Sequence, residues 1–325
     1  METLYLLAGS TIRRRDNTIH IAPKHGKARN FPVESVKHIV VAGACQFNSE
    51  ILSFLGKRGV RLSFLDYYGN FAGSLEAASL HAAGAVHLAQ AKIILDTEKR
   101  LALGKQILSA ALHNLLANVR YYRYRGNTAL EPTITAMRKH WQTLQQADSI
   151  ERMMGCEGLC RQAYYAAWQQ INPALTMTKR TRRPPTDRIN ALLSFCNGLV
   201  YSVCRNELAK THLDLTLSFI HAPTQARASL ALDLAEIFKP IIADKLIFTL
   251  VNRQMVGESD FEEVDNTCRL SEIGRRKVVD GFRDKVDLEQ LEGMHGYRAV
   301  ILREAFRLQA HILGLESYKA YMQRV

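Results

Sequence analysis

Three side chains that lie far apart in the sequence could together bind one divalent cation. Glu157 and Glu236 supply carboxylates, and His221 supplies an imidazole. Oxygen and nitrogen donors mixed in this way are typical of sites for magnesium or manganese. A dense basic run, KRTRRPP at residues 179–185, lies between Glu157 and His221 and suits phosphate groups. Together the two features indicate a metal-dependent enzyme that acts on nucleic acid.

The neighbours of Glu157 and His221 leave two interpretations open for each residue. Glu157 lies between Gly155 and Gly158, and a glycine costs a helix about 1 kcal/mol relative to alanine. The pair predicts that another backbone or a ligand approaches closely, although a solvated glutamate fits the local sequence as well. Pro223 disfavours helical backbone before it, so we expect His221 at the end of an element, facing a cavity. A lone histidine in such a place is more often structural than a ligand.

A helix over residues 228–252 would bring Asp233 and Glu236 to one face, because they are three residues apart. Its opposite face would be a buried apolar stripe formed by Leu230, Leu234, Ile237 and Ile241. Glu236 would then be a ligand, with Asp233 as an auxiliary carboxylate beside it. An exposed acidic face is the alternative. Pro240 should kink or end the helix.

Two basic segments are candidates for contact with nucleic acid. Lys179, Arg180, Arg182 and Arg183 precede two prolines that favour extended backbone, so their side chains could follow a phosphate track. A solvated basic loop explains them equally well. Residues 120–125, RYYRYR, could follow a backbone and stack on bases, or could simply be a helix end whose cations complement the helix dipole.

The composition favours an anionic partner. The 325 residues include 43 Lys and Arg against 31 Asp and Glu, a formal net charge of +12, and nucleic acid is the commonest partner of such a chain. Hydrophobic residues at 47% are sufficient for a packed core. No apolar run reaches the roughly 20 residues that span a bilayer, and the N-terminus does not read as a signal peptide. The six cysteines lack zinc-finger spacing. We therefore expect a cytoplasmic protein with reduced thiols and no membrane partner.

Periodicity changes near residue 84. Short apolar or alternating runs predict strands over residues 4–7, 11–14, 18–21, 36–41 and 60–65. Residues 48–57 read as a helix capped by Asn48. Helical patterns follow over 85–123, 133–170, 188–211, 228–252 and 296–314, with Asp187 as the N-cap of the third. The acidic stretch 257–265 reads as a surface connection. The prediction is an α+β protein: a β-rich domain over residues 1–84 and a larger, all-helical catalytic domain over 85–325.

Several of these segments also carry a resemblance to the CRISPR-associated Cas1 family, whose members are the endonucleases and integrases of spacer acquisition. The order and spacing of the matching segments make the resemblance specific, and it covers essentially the whole chain. The segments are residues 155–158 with Tyr164, 182–185, 190–195, 211–214, 219–221, 230–236 and 238–240.

The resemblance implies a metal-dependent DNA endonuclease and integrase. It makes Glu157, His221 and Glu236 the ligands of Mg²⁺ or Mn²⁺ and the catalytic residues. Many members carry aspartate at the position of Glu236, so the ligand distance or metal preference here could differ. The implied partners are double-stranded prespacer DNA and the CRISPR repeat, a second copy of the chain joined partly through residues 1–84, and a dimer of the second CRISPR-associated protein. A DNA-repair nuclease without a CRISPR role and a non-catalytic basic scaffold remain as alternatives.

Overall fold

The computed structural model describes residues 2–66, 68–75, 83–222, 228–291 and 294–324. The chain divides into two compact units, each built from three separate chain segments. The first comprises Met1–His81, Thr181–Ser202 and Val256–Gly281; the second comprises Ala82–Arg180, Val203–Met255 and Phe282–Val325. The predicted division at residue 84 assigns dimerisation to one part and catalysis to the other, and it stays a prediction.

The first unit contains two four-stranded sheets. One has the order β1 (Glu2–Leu7), β5 (Val36–Ala42), β7 (Arg61–Leu65) and β8 (Phe71–Leu75), with parallel pairs except for the last. The other has the order β4 (Arg29–Pro32), β3 (Thr18–Ala22), β2 (Thr11–Arg15) and β6 (Gln46–Phe47). The five predicted strands are confirmed, and β4, β6 and β8 are additional. Helix α1 (Ser49–Lys57) begins as predicted, since the Asn48 side chain accepts a hydrogen bond from the Ile51 amide at 3.1 Å.

Two later segments complete the first unit. The segment 181–202 contains most of α7 (Arg188–Leu208), and Asp187 caps this helix as predicted, because its Oδ1 accepts from the Asn190 amide at 2.8 Å. Gly69, at φ +82°, packs so tightly on α7 that a Cβ there would collide with Phe195. The other segment forms β9 (Phe261–Val264), β10 (Thr267–Leu270) and most of α10 (Glu272–Arg283). Most of residues 257–265 lie at the surface as expected, but β9 forms there, so the expectation of a mere connection is wrong.

The second unit is mostly helical, which confirms the predicted fold class. It contains α2 (Gly84–Leu95), α3 (Thr97–Tyr124), α4 (Glu131–Gln145), α5 (Ile150–Ala166), α6 (Trp168–Ile171), α8 (Ser229–Lys239), α9 (Lys245–Asn252) and α11 (Gly296–Ile312). A short hairpin of β11 (Gln290–Leu291) and β12 (Met294–His295) was not expected. Within the described ranges no helix is long and apolar enough to cross a membrane.

The single helix predicted over residues 85–123 is wrong, because the chain breaks at Asp96. This residue has extended backbone, and its side chain accepts from the Lys99 amide at 3.0 Å, so it caps α3. The apolar pattern continues on both sides of the break and therefore hides it.

Helix α3 anchors the two helices that carry the predicted site. Buried Asn114 donates to the carbonyl of Ile237 on α8 at 3.0 Å. Buried Asn118 donates to the carbonyl of Pro240 at 2.9 Å and to the hydroxyl of Tyr164 on α5 at 3.1 Å. Buried amides need such partners, so these bonds fix α5 and the end of α8 against α3.

Candidate functional site

Helix α5 presents Glu157 on its buried side. Ser149 caps the start of this helix, and its hydroxyl accepts from the Arg152 amide at 3.3 Å. Glu157 lies within one helical turn of buried residues on either side and therefore points the same way; its side chain is 15% exposed. The buried residues of this helix are Met153, Cys160 and Tyr164.

No backbone of the described residues approaches Gly155 or Gly158 closely, so that part of the prediction is wrong. The approach of a ligand stays a prediction. A Cβ built at either glycine would meet no heavy atom of the described residues within 4 Å. Nothing in the structure explains why glycine occupies these positions.

Helix α8 buries both of its predicted site carboxylates. Asp233 is fully buried and Glu236 is 8% exposed, so the alternative of an exposed acidic face is wrong. The predicted apolar stripe is buried as well. The helix ends at Lys239, and Pro240 begins one turn of π-helix, Pro240–Asp244. The expected effect of the proline is therefore confirmed.

Asp233 fixes the position of His221. Its Oδ2 accepts from the amides of Phe219 at 2.7 Å and Ile220 at 3.0 Å, and its Oδ1 accepts from the His221 amide at 3.1 Å. The same Oδ1 lies 2.7 Å from Nδ1 of the His221 ring. With Nδ1 held, Nε2 lies 4.0 Å from Oε1 of Glu236. Burial opposes the charged imidazole, but Asp233 and Glu236 outweigh it and raise the pKa of His221 above its usual value.

The substitution Asp233→Asn is expected to lower the free energy of unfolding by about 2 kcal/mol, the order of a lost hydrogen bond to a charged acceptor. The new NH₂ group would face the N–H groups that donate hydrogen bonds to the carboxylate in the wild type. Urea titration measures the effect. Asp214→Asn is the control. Among the residues that the structure describes, the Asp214 side chain accepts from Thr216 alone, and asparagine caps such turns equally well. Equal stability of Asp233→Asn and the wild type would contradict this role.

Two cations join the carboxylates. Arg161 donates from Nε to Oε1 of Glu157 and from Nη2 to Oε2 of Glu236. Lys239 Nζ lies 2.6 Å from Oε1 of Glu236. Burial alone would raise the pKa of Glu236, but Arg161, Lys239 and His221 lower it to about 2. The site therefore holds Glu236 ionised at neutral pH.

Arg161 and Lys239 were not predicted from the sequence as site residues. Both follow a predicted site carboxylate at helical spacing, four residues after Glu157 and three after Glu236. That spacing is a usable signal. It is also common on exposed helices, and only the burial of these two pairs distinguishes them.

Asp244 is a further buried carboxylate near the site that the sequence analysis did not identify. It is 1% exposed, and neither of its oxygens hydrogen-bonds to any residue that the structure describes. Burial raises the pKa of Asp244 to about 7, although the charges of Arg161, Lys239 and Arg180 and the nearby Tyr164 hydroxyl act to lower it.

Removing this carboxylate should stabilise the protein at high pH. The folded pKa of Asp244, about 7, lies above the 3.8 of an unperturbed aspartate, so ionisation costs the folded state stability as pH rises from 3.8 through 7. The stability difference between Asp244→Asn and wild type is therefore expected to grow by about 2 kcal/mol from about pH 5 to about pH 8 and to level off above. Urea titrations in EDTA at several pH values measure it, with exposed Asp148→Asn as the control. A difference independent of pH would contradict the expectation.

The three predicted ligands suit Mg²⁺ or Mn²⁺ in donor type. His221 has the common arrangement of a histidine ligand, in which a carboxylate holds one ring nitrogen and the other faces the site. Across the described part of the chain, no three His, Cys, Asp or Glu side chains already have an arrangement that could hold a metal ion. Instead, Arg161 bridges Glu157 and Glu236. The assignment of these three residues as ligands stays a prediction.

The predicted DNA-contacting residues fall in both units. Lys179 and Arg180 belong to the second unit, and Arg182 and Arg183 belong to the first. Lys179, Arg182 and Arg183 are exposed, and Arg180 is half-buried and acts electrostatically on Tyr165 and Asp244. Contact with DNA stays a prediction for all four.

The chain is similar to known proteins over nearly its whole length. The family model described as CRISPR associated protein Cas1 matches residues 4–284. The CRISPR-associated endonuclease Cas1 3 of Thermodesulfovibrio yellowstonii is 35% identical over 326 residues, 99% of either protein. A solved Cas1 protein from Thermotoga maritima is 27% identical, with a TM-score of 0.86 and coverage of 98% of this chain and 100% of its own. A casposase bound to an integration product, at 20% identity, shares the fold: its TM-score is 0.84 over 100% of this chain and 96% of its own.

Proposed function

The chain belongs to the Cas1 family of CRISPR-associated proteins, and we propose from this membership that it is a DNA endonuclease and integrase. In the integrase reaction, the 3′ hydroxyl of a captured DNA fragment attacks a phosphodiester at the edge of a CRISPR repeat. A new phosphodiester joins the fragment to the repeat, and the displaced 3′ oxygen of the cleaved strand leaves as a hydroxyl. The product is an array with a new spacer, made by transesterification. With water as the nucleophile, the same site would cleave DNA, and the name of the Thermodesulfovibrio relative supports this activity.

The observation that carries the proposal is the meeting of Glu157, His221 and Glu236 in one buried, charged site. We propose that these residues hold Mg²⁺ or Mn²⁺, which when bound would act as a Lewis acid on the scissile phosphate. Asp233 keeps Nε2 of His221 turned towards Glu236. Lys239 adds a positive charge that favours the approach of a DNA phosphate.

The proposed substrates are double-stranded prespacer DNA and the CRISPR repeat. The net charge of +12 supports binding of a polyanion. Lys179, Arg180, Arg182 and Arg183 are proposed to contact phosphates. The exposure of three of these residues is compatible with this role.

The proposed assembly is a homodimer that binds a dimer of the second CRISPR-associated protein in the cytoplasm. We expect a dimeric mass by light scattering at micromolar concentrations, with residues 1–84 contributing to the contact. This expectation rests on membership of the Cas1 family. A monomeric mass would contradict the proposal.

A strand-transfer assay tests the proposed function. The chain and its partner protein are mixed with a labelled DNA fragment and a plasmid that carries the repeat, with Mg²⁺, Mn²⁺ or EDTA. Metal-dependent joining of the fragment to the repeat supports an integrase. Cleavage without joining would instead indicate a repair-type nuclease, and DNA binding without either reaction would indicate a scaffold.

A further inference from the structure

Arg161 occupies both carboxylates that the proposed metal ion would need. Its guanidinium bridges Glu157 and Glu236 inside the protein, and its side chain is only 14% exposed. Burial lowers the pKa of Arg161, but Glu157 and Glu236 raise it further than burial lowers it, so the guanidinium stays charged. A divalent cation that took both glutamates would have to displace these ion pairs. A buried guanidinium without a carboxylate partner is costly, so its displacement requires another acceptor.

Asp244 has the properties of that acceptor. Both of its oxygens are buried and lack a hydrogen-bond partner among the described residues. Asp244 is the last residue of the π-helix that directly follows α8, so one continuous helical run carries Glu236 and Asp244. Arg161 already lies near enough to act on this carboxylate electrostatically. A guanidinium has five N–H donors in a planar fork and pairs well with such a group.

We infer that Arg161 and Asp244 form a counter-ion switch that controls metal affinity. Arg161 holds Glu157 and Glu236 together until a divalent cation takes them, and it then pairs with Asp244. Lys239 keeps its contact with Glu236 throughout. Arg161 is thus a positioning residue that competes with the metal, and Asp244 lowers the cost of its displacement. The inference rests on the proposed function, because it presupposes a metal at these carboxylates.

Binding of Mn²⁺ to the full-length chain without DNA tests the switch, with free Mn²⁺ counted by electron paramagnetic resonance. Arg161→Gln is expected to tighten binding about tenfold, and Asp244→Asn to weaken it about tenfold, which is an ordinary size for coupling between two groups. In the Arg161→Gln background, Asp244→Asn should have no further effect, because no guanidinium needs an acceptor. Arg152→Gln is the matched control: Arg152 lies on the same helix and pairs with exposed Asp148, so its loss should leave the affinity unchanged.

Three results would overturn the switch. Weaker or unchanged binding in Arg161→Gln would show that Arg161 does not compete with the metal. An equal loss from Asp244→Asn in both backgrounds would show that Asp244 acts without Arg161. If Arg161→Gln does not fold, the Mn²⁺ affinity of Asp244→Asn is the remaining test. An unchanged affinity in that variant is the third result that would overturn the switch. A wild type that binds no Mn²⁺ would overturn the metal site itself and so separates failure of the proposed function from failure of the switch.

Discussion

Replacing Glu157, His221 or Glu236 by alanine is expected to reduce metal-dependent cleavage and strand transfer by at least about a hundredfold. Removing a residue that only supports a metal ligand already lowers metal affinity or activity about 10–100-fold. These three residues are the proposed ligands themselves, so a larger loss is expected. Rates measured under single-turnover conditions, with enzyme in excess over labelled DNA, give the comparison. Glu236→Asp should retain part of the activity, because it keeps a carboxylate at the position.

The same variants should remain folded, and this separates a catalytic role from a structural one. Arg161 pairs with both Glu157 and Glu236, and Lys239 pairs with Glu236. Replacing either glutamate alone therefore leaves Arg161 with one carboxylate partner. Asp148→Ala, at an exposed position just before α5, is the control and should be fully active. Normal activity of His221→Ala with unchanged melting would refute its assignment as a ligand.

Replacing both Arg182 and Arg183 by alanine is expected to flatten the salt dependence of DNA binding. Each phosphate contact releases counterions, so the loss of two should reduce the slope of log affinity against log salt by about 2. Integration should fall while the preference for the repeat stays unchanged. The measurement is DNA affinity at several salt concentrations, on the repeat and on a scrambled sequence.

Arg188 supplies a control for this experiment. It follows the basic run closely, but Glu258 and Glu263 hold its guanidinium at 2.9 and 3.0 Å, so Arg188→Ala should leave the salt slope unaltered. An unchanged slope in the double variant would place Arg182 and Arg183 off the DNA path. A loss of affinity confined to the repeat sequence would show that the two arginines read bases.

Local signals in the sequence predicted most of the secondary structure. The alternating runs that became β2 and β3, and the caps Asn48 and Asp187, depend on contacts within a few residues. The failures have equally physical causes. Asp96 ends one helix and caps the next, but the apolar periodicity continues across this residue, so the break has no signal in the sequence pattern. Strand β9 lies in the acidic stretch and pairs with β10, which follows this stretch.

The sequence predicted the acidic and histidine residues of the candidate site, but it did not predict the ion pairs that those residues form. Asp233 was expected beside Glu236 as an auxiliary carboxylate, and the structure shows how it reaches His221. The bridge through Arg161 joins α5 to α8, and such a long-range contact has no signature in the spacing of residues. Asp244 escaped notice for the same reason, since nothing in the local sequence shows that its carboxylate lies unpartnered in the interior.

The first unit draws on three stretches of chain, and this has a consequence for synthesis of the protein. Chains emerge from the ribosome N-terminus first, and the last segment of this unit ends at Gly281. The turn at Gly69 packs on Phe195, a residue that is made more than a hundred positions later. The early strands must therefore wait, with part of their packing surface uncovered, until nearly the whole chain has been translated. Chaperone dependence during expression, and the failure of short N-terminal fragments to fold, would both follow from this arrangement.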